Sequence, residues 1–324
     1  MTLRRRPEGP LLTRDDIPDV APDVIDVTSV FNPGACSLED GRAMLLLRVQ
    51  TRGRRTVFMR AFGCGRRGTR CEVDPHLVEI AGLEQLNATV FHVYDPRITN
   101  VEGKWYVLCA IDTDRGCRVG IFTTTDFSRL ELLTVTGGED TRNGVLFPEK
   151  IGGRFAMLER PNTVQPDGGA LSGDTIVLRT SDDLRTWTTA GPVMRGRLHY
   201  WDEMIGAGPP PLKTEDGWLL IYHGVASHLG TGLYQAGAAL LDLDDPTRVI
   251  ARTRDNILEP REMYEMVGQV PNVVFPSGVI LEPPREDGTY APTAQVNVVY
   301  GAADTCVGVA TATIAQLLEA CRRG

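Results

Sequence analysis

The sequence lacks any apolar run long enough to span a bilayer, and the arginines near its start are not followed by the apolar segment of a secretory signal. Its net charge of −8 over 324 residues is spread along the chain, without the basic stripe that nucleic-acid binding needs. We therefore expect neither a membrane nor a nucleic acid as a partner. The length allows either two domains or one large β-rich domain.

Cysteine is present but forms no recognisable framework. The seven cysteines are odd in number, irregularly spaced, without a CxxC pair, and none is near a pair of histidines. They are Cys36, Cys64, Cys71, Cys109, Cys117, Cys306 and Cys321. Such a set is typical of neither a disulfide scaffold nor a metal site. We expect reduced thiols, no bound metal and a cytoplasmic location.

Helical periodicity is almost absent. Only residues 313–323 (TIAQLLEACRR) place apolar residues at helical spacing. Elsewhere a glycine-containing turn precedes a short strand rich in aromatic and branched residues, at 103–108, 153–158 and 217–222. The repeat of roughly 50 to 60 residues is close to one propeller blade. We predict an all-β fold, with an extended N-terminal arm at 1–26, one β-propeller domain at 27–324 and a short C-terminal helix.

The best candidate for a catalytic centre is the segment VYDPRIT (93–99). Asp95 lies between Tyr94 and a proline, which fixes its own φ and pushes the preceding residue toward extended geometry. We expect Asp95 to be held rigidly at a strand entrance, where a carboxylate can be aimed into a cavity. The alternative is that Asp95 caps a turn or pairs with Arg97.

Further polar residues occur near strand ends or inside apolar runs. Arg48 interrupts the apolar run at 43–49, where a charge needs a partner or a ligand. Arg142, Arg160 and His223 lie at strand ends and together could hold an anion, since arginine binds phosphate oxygens in a bidentate way. Singly, each has a structural alternative: a surface arginine, an ion pair with Glu159 or Glu149, and a core histidine.

Eight stretches of the chain resemble glycoside hydrolase family 130, the β-mannoside phosphorylases and their hydrolytic relatives. They are FNPGA (31–35), YDPRIT (94–99), RNGVLFPEK (142–150), ERPN (159–162), IGAGPPPLKTEDGWLLIYHGV (205–225), YQAGAALLDLDDP (234–246), GQVPNVVFPSG (268–278) and YGAADT (300–305). The resemblance implies a five-bladed β-propeller with an axial active site and Asp95 as general acid. It also implies phosphate binding by Arg142, Asn143, Arg160, His223 and Tyr234, and mannosyl binding by Arg48 and Asp304.

The activity that the resemblance implies is inverting phosphorolysis of a β-mannosyl oligosaccharide, which yields α-mannose 1-phosphate and a shortened sugar. Phosphate is then the co-substrate, and no other cofactor is expected. One acid suffices because phosphate itself attacks the anomeric carbon, whereas an inverting hydrolase needs a second carboxylate. The sequence leaves the linkage, the acceptor sugar and a homo-oligomeric state open.

One departure from the family pattern keeps an alternative open. Phosphorylases of the family usually carry a lysine shortly before the IGAG segment, and Met204 occupies the matching position here. Loss of that charge favours a β-mannosidase as the second hypothesis, with Glu203 as the base that activates water. A non-catalytic carbohydrate-binding propeller is a third, less favoured because Asp95 and most of the anion site are present.

Overall fold

Twenty-two strands form five sheets in the computed structural model, which describes residues 1–64, 71–136, 140–165, 171–228 and 231–324. Strand β1 (Arg4–Arg5) opens the chain. Blade 1 contains β2 (Val27–Ser37), β3 (Ala43–Thr51), β4 (Thr56–Phe62) and β5 (Glu72–Leu77). Blade 2 contains β6 (Glu79–Ala81), β7 (Val90–Val101), β8 (Lys104–Thr113), β9 (Gly116–Thr124) and β10 (Arg129–Val135).

The remaining three blades follow in chain order. Blade 3 contains β11 (Thr141–Leu146), β12 (Phe155–Pro161), β13 (Thr175–Ser181) and β14 (Thr188–Arg195). Blade 4 contains β15 (Met204–Ala207), β16 (Leu212–Thr214), β17 (Gly217–His228), β18 (Thr231–Leu241) and β19 (Val249–Arg252). The short helix α1 (Met263–Met266) precedes blade 5, which contains β20 (Val274–Ile280), β21 (Gln295–Ala302) and β22 (Cys306–Thr313), and helix α2 (Ile314–Arg322) follows.

One strand of each blade lies nearest the central axis, and these inner strands are β2, β7, β11, β15 and β20. Strand β2 contacts both β7 and β20, and β11 contacts both β7 and β15. Strand β20 also contacts β17 and β18 of blade 4, which completes the circle. The chain is therefore an all-β, five-bladed β-propeller, and the predicted fold class is confirmed.

Apolar side chains fill the gap between each pair of neighbouring blades. Successive residues of a strand point to opposite faces, and both faces of a blade are covered, so its strands read as continuous apolar runs. In β3, Leu45 packs with residues of blade 5 and Leu46 with residues of blade 2, and both are fully buried. Each such leucine stabilises the fold by about 1.5–3 kcal/mol on leaving water.

The N-terminal residues complete blade 5. Strand β1 pairs with β22 as the outermost strand of that blade. Arg5 donates two hydrogen bonds of 2.8 Å to the buried carboxylate of Glu265. The two ends of the chain therefore meet in one sheet, which closes the propeller. Strand β2 begins at Val27, while the division into an arm and a propeller domain stays a prediction.

Helix α2 confirms the predicted C-terminal helix and is one residue shorter at each end. Thr313 is its N-cap: the Thr313 hydroxyl accepts from the backbone N–H of Gln316, and the Gln316 side chain accepts from that of Thr313. Four apolar residues face the core between blades 4 and 5. They are Ile314, Leu317, Leu318 and Cys321. The helix thus covers the outside of the propeller.

Backbone bulges recur in the inner strands. The strand register shifts between Phe31 and Gly34 in β2, between Tyr94 and Arg97 in β7, between Arg142 and Val145 in β11, and between Pro276 and Gly278 in β20. Within the first three bulges Asn32, Asp95 and Asn143 have φ of 45°, 54° and 56°. Asparagine and aspartate tolerate this left-handed region better than most residues do.

The conformation of Asp95 differs from the sequence-based expectation. Extended geometry at a strand entrance was predicted, but Asp95 lies inside β7 with a positive φ. The physical reason is the bulge, which inserts extra residues into one strand and re-aims the side chain there. The Asp95 side chain is held by two hydrogen bonds to its carboxylate.

The expectation of seven reduced thiols is wrong for one pair. Cys64 and Cys71 form a disulfide, with Cα atoms 4.5 Å apart. The other five cysteines are free and buried. Spacing alone could not reveal the pair, because a disulfide depends on two strand ends meeting in space.

In the part of the chain described, no helix is long and apolar enough to cross a membrane.

Candidate active site

A cavity of about 340 Å³ lies where the inner strands of the five blades converge. Every blade contributes side chains to its wall. The polar residues that line it are Asn32, Arg48, Gln50, Thr56, His92, Tyr94, Asp95, Asp112, Arg142, Asn143, Arg160, His223, Tyr234 and Asp304. The apolar residues are Val270, Val273 and Phe275. This is the axial position at which the family resemblance implies an active site.

The cavity brings together eight of the residues singled out in the sequence. They are Arg48, Asp95, Arg142, Asn143, Arg160, His223, Tyr234 and Asp304. Glu203, the candidate base for hydrolysis, instead lines a different cavity, beside Trp201 and Leu233. The individual roles of these residues stay predictions, but their common location is a structural fact.

Met204 lies close to this cavity without lining it. It is the first residue of β15, is 8% exposed and stands opposite Val225 of β17, which in turn stands opposite Tyr234 of β18. Because residues that stand opposite each other in neighbouring strands share a face, Met204 points to the same side of blade 4 as Tyr234. A longer side chain at position 204 would therefore extend along the face that carries Tyr234.

The Asp95 carboxylate is fixed through one of its two oxygens. Oδ1 accepts hydrogen bonds from Asn32 Nδ2 at 2.9 Å and from Arg48 Nη1 at 2.8 Å. The Arg48 guanidinium is itself stacked over the rings of Phe31 and Tyr94, at 4.2 and 4.8 Å. Oδ2 has no hydrogen-bond partner among the residues described. A proton that Asp95 transfers to a ligand is therefore best carried on Oδ2.

Arg97 binds the backbone of Asp95 rather than its carboxylate. The buried guanidinium donates to the backbone carbonyl of Asp95 at 3.0 Å and to that of Gly208 at 2.9 Å. It thus connects blade 2 with blade 4 beneath the cavity. The alternative in which Asp95 serves only as the ion-pair partner of Arg97 is not what the hydrogen bonds show.

The neighbouring part of the wall is rich in polar atoms that lack partners. Within the described ranges, buried atoms without a hydrogen bond include Nε of Arg142, Nε of Arg160, Oδ1 of Asn143 and both ring nitrogens of His223. Leaving a buried donor or acceptor unpaired costs about 1–3 kcal/mol, so native structures rarely tolerate several together. Their concentration on one cavity wall indicates a polar ligand there.

Gly206 allows two of these groups to converge. A Cβ atom at position 206 would lie 2.5 Å from Cε1 of His223 and 2.6 Å from Oδ1 of Asn143. Both distances are far below van der Waals contact. Glycine is therefore required for the imidazole and the amide to approach the same point.

Burial determines the charge state of the histidine. Burial, reinforced by Arg160 and Arg97, lowers the pKa of His223 well below its usual value. The imidazole is then neutral near pH 7 and contributes an N–H donor rather than a positive charge. The sequence predicted that three groups together hold an anion. In the structure only Arg142 and Arg160 supply positive charge, and His223 supplies a neutral N–H donor.

The two remaining charged groups of interest are Arg160 and Asp304. Burial lowers the pKa of Arg160 to about 10, so it stays protonated at neutral pH. Burial also raises the pKa of Asp304 to about 6, with Arg48 opposing and Asp95 reinforcing that rise. The cavity therefore combines a buried cation with a carboxylate that titrates close to neutral pH.

The structural alternatives for Arg160 are not realised. Glu149 pairs with Lys213 at 2.8 Å, and Glu159 pairs with Arg179. Arg160 instead donates from Nη2 to Oδ1 of Asn162 at 2.8 Å, and the Asn162 amide donates to Asp140. A buried arginine held by a neutral amide keeps its charge available for a ligand.

Sequence reasoning missed several residues of this wall. Asp112 accepts a 3.0 Å hydrogen bond from the hydroxyl of Tyr94 and lies 3.6 Å from Arg142. Asn32 could have been found, because FNPGA places an asparagine before proline just as YDPRIT places Asp95. Nothing in the local sequence marks Asp112, which faces the cavity only because β8 pairs with β7.

Comparisons with known proteins agree over nearly the whole chain. A family model described as beta-1,4-mannooligosaccharide phosphorylase matches residues 2–323. A beta-1,4-mannooligosaccharide phosphorylase of Ruminococcus albus is 30% identical over 317 residues, covering 96% of this chain and 88% of its own. A 1,2-beta-oligomannan phosphorylase of Thermoanaerobacter sp. is 37% identical over 236 residues, covering 72% and 68%.

A solved structure extends this agreement to the fold. The beta-1,2-mannobiose phosphorylase of Listeria innocua, in complex with beta-1,2-mannobiose, aligns over 100% of both chains with a TM-score of 0.83 and 25% identity. Family match, sequence relatives and fold all agree with the resemblance that the sequence suggested. The chain therefore belongs to glycoside hydrolase family 130.

Proposed function

We propose that this protein is an inverting β-mannoside phosphorylase. It converts a β-mannosyl oligosaccharide and phosphate into α-mannose 1-phosphate and the shortened sugar. The named relatives are mannoside phosphorylases, which supports phosphorolysis over hydrolysis. The single observation that carries the proposal is the cavity wall of Arg142, Asn143, Arg160 and His223, whose unpaired polar atoms suit a phosphate.

The reaction needs one proton donor and one nucleophile. A phosphate oxygen forms the new bond to the anomeric carbon, the glycosidic C–O bond breaks, and the leaving oxygen takes a proton from Asp95. The arginines hold phosphate by charge-assisted hydrogen bonds, while Arg48 and Asp304 hold the mannosyl unit. The family resemblance suggests a relay, in which a sugar hydroxyl takes the proton from the free Oδ2 of Asp95 and passes its own proton to the leaving oxygen.

Hydrolysis is the less favoured reading. Its motivation was Met204 together with Glu203 as base, and Glu203 lines a different cavity from Asp95. Phosphate, with its own negative charge, needs no protein base to attack. The proposal therefore assigns Glu203 no part in the chemical step.

The test is product analysis with β-1,2- and β-1,4-mannobiose, each with and without phosphate. We expect α-mannose 1-phosphate in amounts equal to the mannose released from the acceptor side, and no turnover without phosphate. Release of mannose at a rate indifferent to phosphate would overturn phosphorolysis. The better of the two disaccharides also identifies the linkage.

Substitution of the proton donor tests the role of Asp95. Asp95→Asn is expected to lower kcat by about 10²–10⁴ while leaving the fold intact, because that is the usual contribution of general acid catalysis. Asp182→Asn, on an exposed carboxylate, is the matched control. An Asp95→Asn variant that keeps more than a tenth of the activity would remove Asp95 from this role.

We also propose a cytoplasmic location. The five buried free thiols support it, although the disulfide between Cys64 and Cys71 does not add to that support. Cell fractionation with an antibody against the protein tests it, and recovery from the medium or the envelope would refute it.

A further inference from the structure

A second cavity, of about 430 Å³, lies on blade 4. Its wall includes His199, Tyr200, Trp201, Glu203, Ser227 and Leu233. Leu233 stands opposite Ala226 in the β17–β18 hairpin, one residue before the pair formed by Val225 and Tyr234. Because neighbouring residues of a strand point to opposite faces, the hairpin separates this cavity from the axial one. The two cavities thus lie back to back.

The aromatic part of this wall is rigid. Trp201 donates from Nε1 to the backbone carbonyl of Arg254 at 2.8 Å and stacks on Tyr222, with ring centroids 5.8 Å apart. Two glycines of the hairpin make room for the indole. A Cβ atom at Gly224 would lie 2.6 Å from its ring, and one at Gly237 would also collide with it. The indole ring therefore fits against the sheet only because these two positions carry no side chain.

The polar part of the wall is available to a ligand. In the described ranges, neither the carboxylate of Glu203 nor the imidazole of His199 forms a hydrogen bond or an ion pair, and Ser227 is exposed. The Tyr200 hydroxyl is held by Asp255 at 3.2 Å. A fixed aromatic surface with a free carboxylate and a hydroxyl matches a neutral sugar, whose C–H groups pack on rings and whose hydroxyls donate to carboxylate. The Arg197 guanidinium lies over the rings of Tyr200 and Trp201, at 4.5 and 5.6 Å, but its charge is paired with Asp202. The unpaired carboxylate of Glu203 therefore disfavours an anion.

We propose that this cavity is an accessory binding site for the β-mannosyl oligosaccharide, distinct from the axial cavity. It rests on the proposed function, since the ligand is the substrate of that reaction. The terminal mannosyl unit occupies the axial cavity, and units further along a long chain cross the edge of blade 4 and contact Trp201 and Glu203. Short substrates such as mannobiose do not reach it.

Two variants test this site without touching the axial cavity. Ala226→Trp fills the space with a bulky side chain on the face that carries Leu233, and Glu203→Gln removes the charged acceptor. We expect the KM for β-mannohexaose to rise about tenfold in Glu203→Gln, the loss expected for one charge-assisted hydrogen bond, and at least as much in Ala226→Trp, with kcat and the KM for mannobiose unchanged. Leu198→Ala, on an exposed neighbour outside the wall, is the control.

Binding is measured separately from turnover. Calorimetric titration of β-mannohexaose into the Asp95→Asn protein, with and without Ala226→Trp, reports the site even if no phosphorolysis occurs. A drop in hexaose affinity caused by Ala226→Trp supports the site, whatever the activity. If Ala226→Trp and Glu203→Gln leave both the hexaose-to-mannobiose KM ratio and the hexaose affinity as in the control, the accessory site does not exist.

Discussion

Arg160 offers a test that separates a binding role from a structural one. Arg160 is 6% exposed, and its guanidinium donates a hydrogen bond to the neutral amide of Asn162. The fall in the Arg160 pKa from 12.5 to about 10 corresponds, at about 1.4 kcal/mol per pKa unit, to a cost of about 3 kcal/mol for keeping it charged in the folded protein. Because the folded pKa is the lower one, this cost is fully present below pH 10 and is relieved only above it.

Replacing Arg160 by methionine removes that cost and leaves an apolar stem of similar reach. We expect Arg160→Met to be more stable than the natural protein at pH 7 without phosphate, by up to about 3 kcal/mol. The same change removes a charge-assisted contact to phosphate, so the KM for phosphate should rise at least tenfold. Phosphate stabilises the natural protein by preferential binding, and the variant should lose most of that effect.

Urea unfolding at pH 7, with and without phosphate, measures both effects. Arg179→Met is the matched control, because Arg179 is also buried but pairs with the fully buried carboxylate of Glu159. Removing one member of that buried ion pair should cost about 3–5 kcal/mol. If Arg160→Met loses as much stability as Arg179→Met, Arg160 stabilises the fold, and its assignment as a phosphate-binding residue that costs stability is wrong.

Three further predictions concern the same cavity. Met204→Lys should lower the KM for phosphate about ten- to a hundredfold by restoring a charge on the face that carries Tyr234; an unchanged KM in a folded variant would contradict this. Asn162→Ala should raise the KM for phosphate about tenfold with the KM for mannoside unchanged, whereas an equal rise in both would make Asn162 merely structural. Because the pKa of Asp304 is about 6, its carboxylate protonates as the pH falls through 6, and the KM for mannoside should rise there; a rise of equal size in Asp304→Asn would exclude Asp304 as its source.

The sequence predicted which residues line the axial cavity, but it did not predict how their side chains are arranged there. The glycine-led repeats indicated a propeller, but the number of blades came only from the family resemblance. Asp95 and Arg142 lie in inner strands, whereas His223 lies inside β17, next to the inner strand β15, and not at a strand end as predicted; all three nevertheless line the axial cavity. Residues at equivalent places in a propeller meet at the axis, so local motifs were enough to group them.

Contacts between distant segments could not be read from the sequence. Asn32 reaches Asp95 only because Gly301 of blade 5 has no Cβ, which would collide with the Asn32 amide. Glu203 and Met204 are neighbours in sequence, yet Glu203 lines the second cavity while Met204, the first residue of β15, points to the face that carries Tyr234. The depressed pKa of His223 depends on burial by several blades at once.

The positive φ angles at the axis limit how this enzyme can be redesigned. Asn32, Asp95, Asn143 and Asp304 have φ between 45° and 56°, a region that costs most other residues about 1–2 kcal/mol. A mutant library at these four positions should therefore be restricted to asparagine, aspartate and glycine. Replacing Asp95 by glutamate would keep the acid but bring in a residue poorly suited to the bulge, so the backbone itself selects the shorter carboxylate.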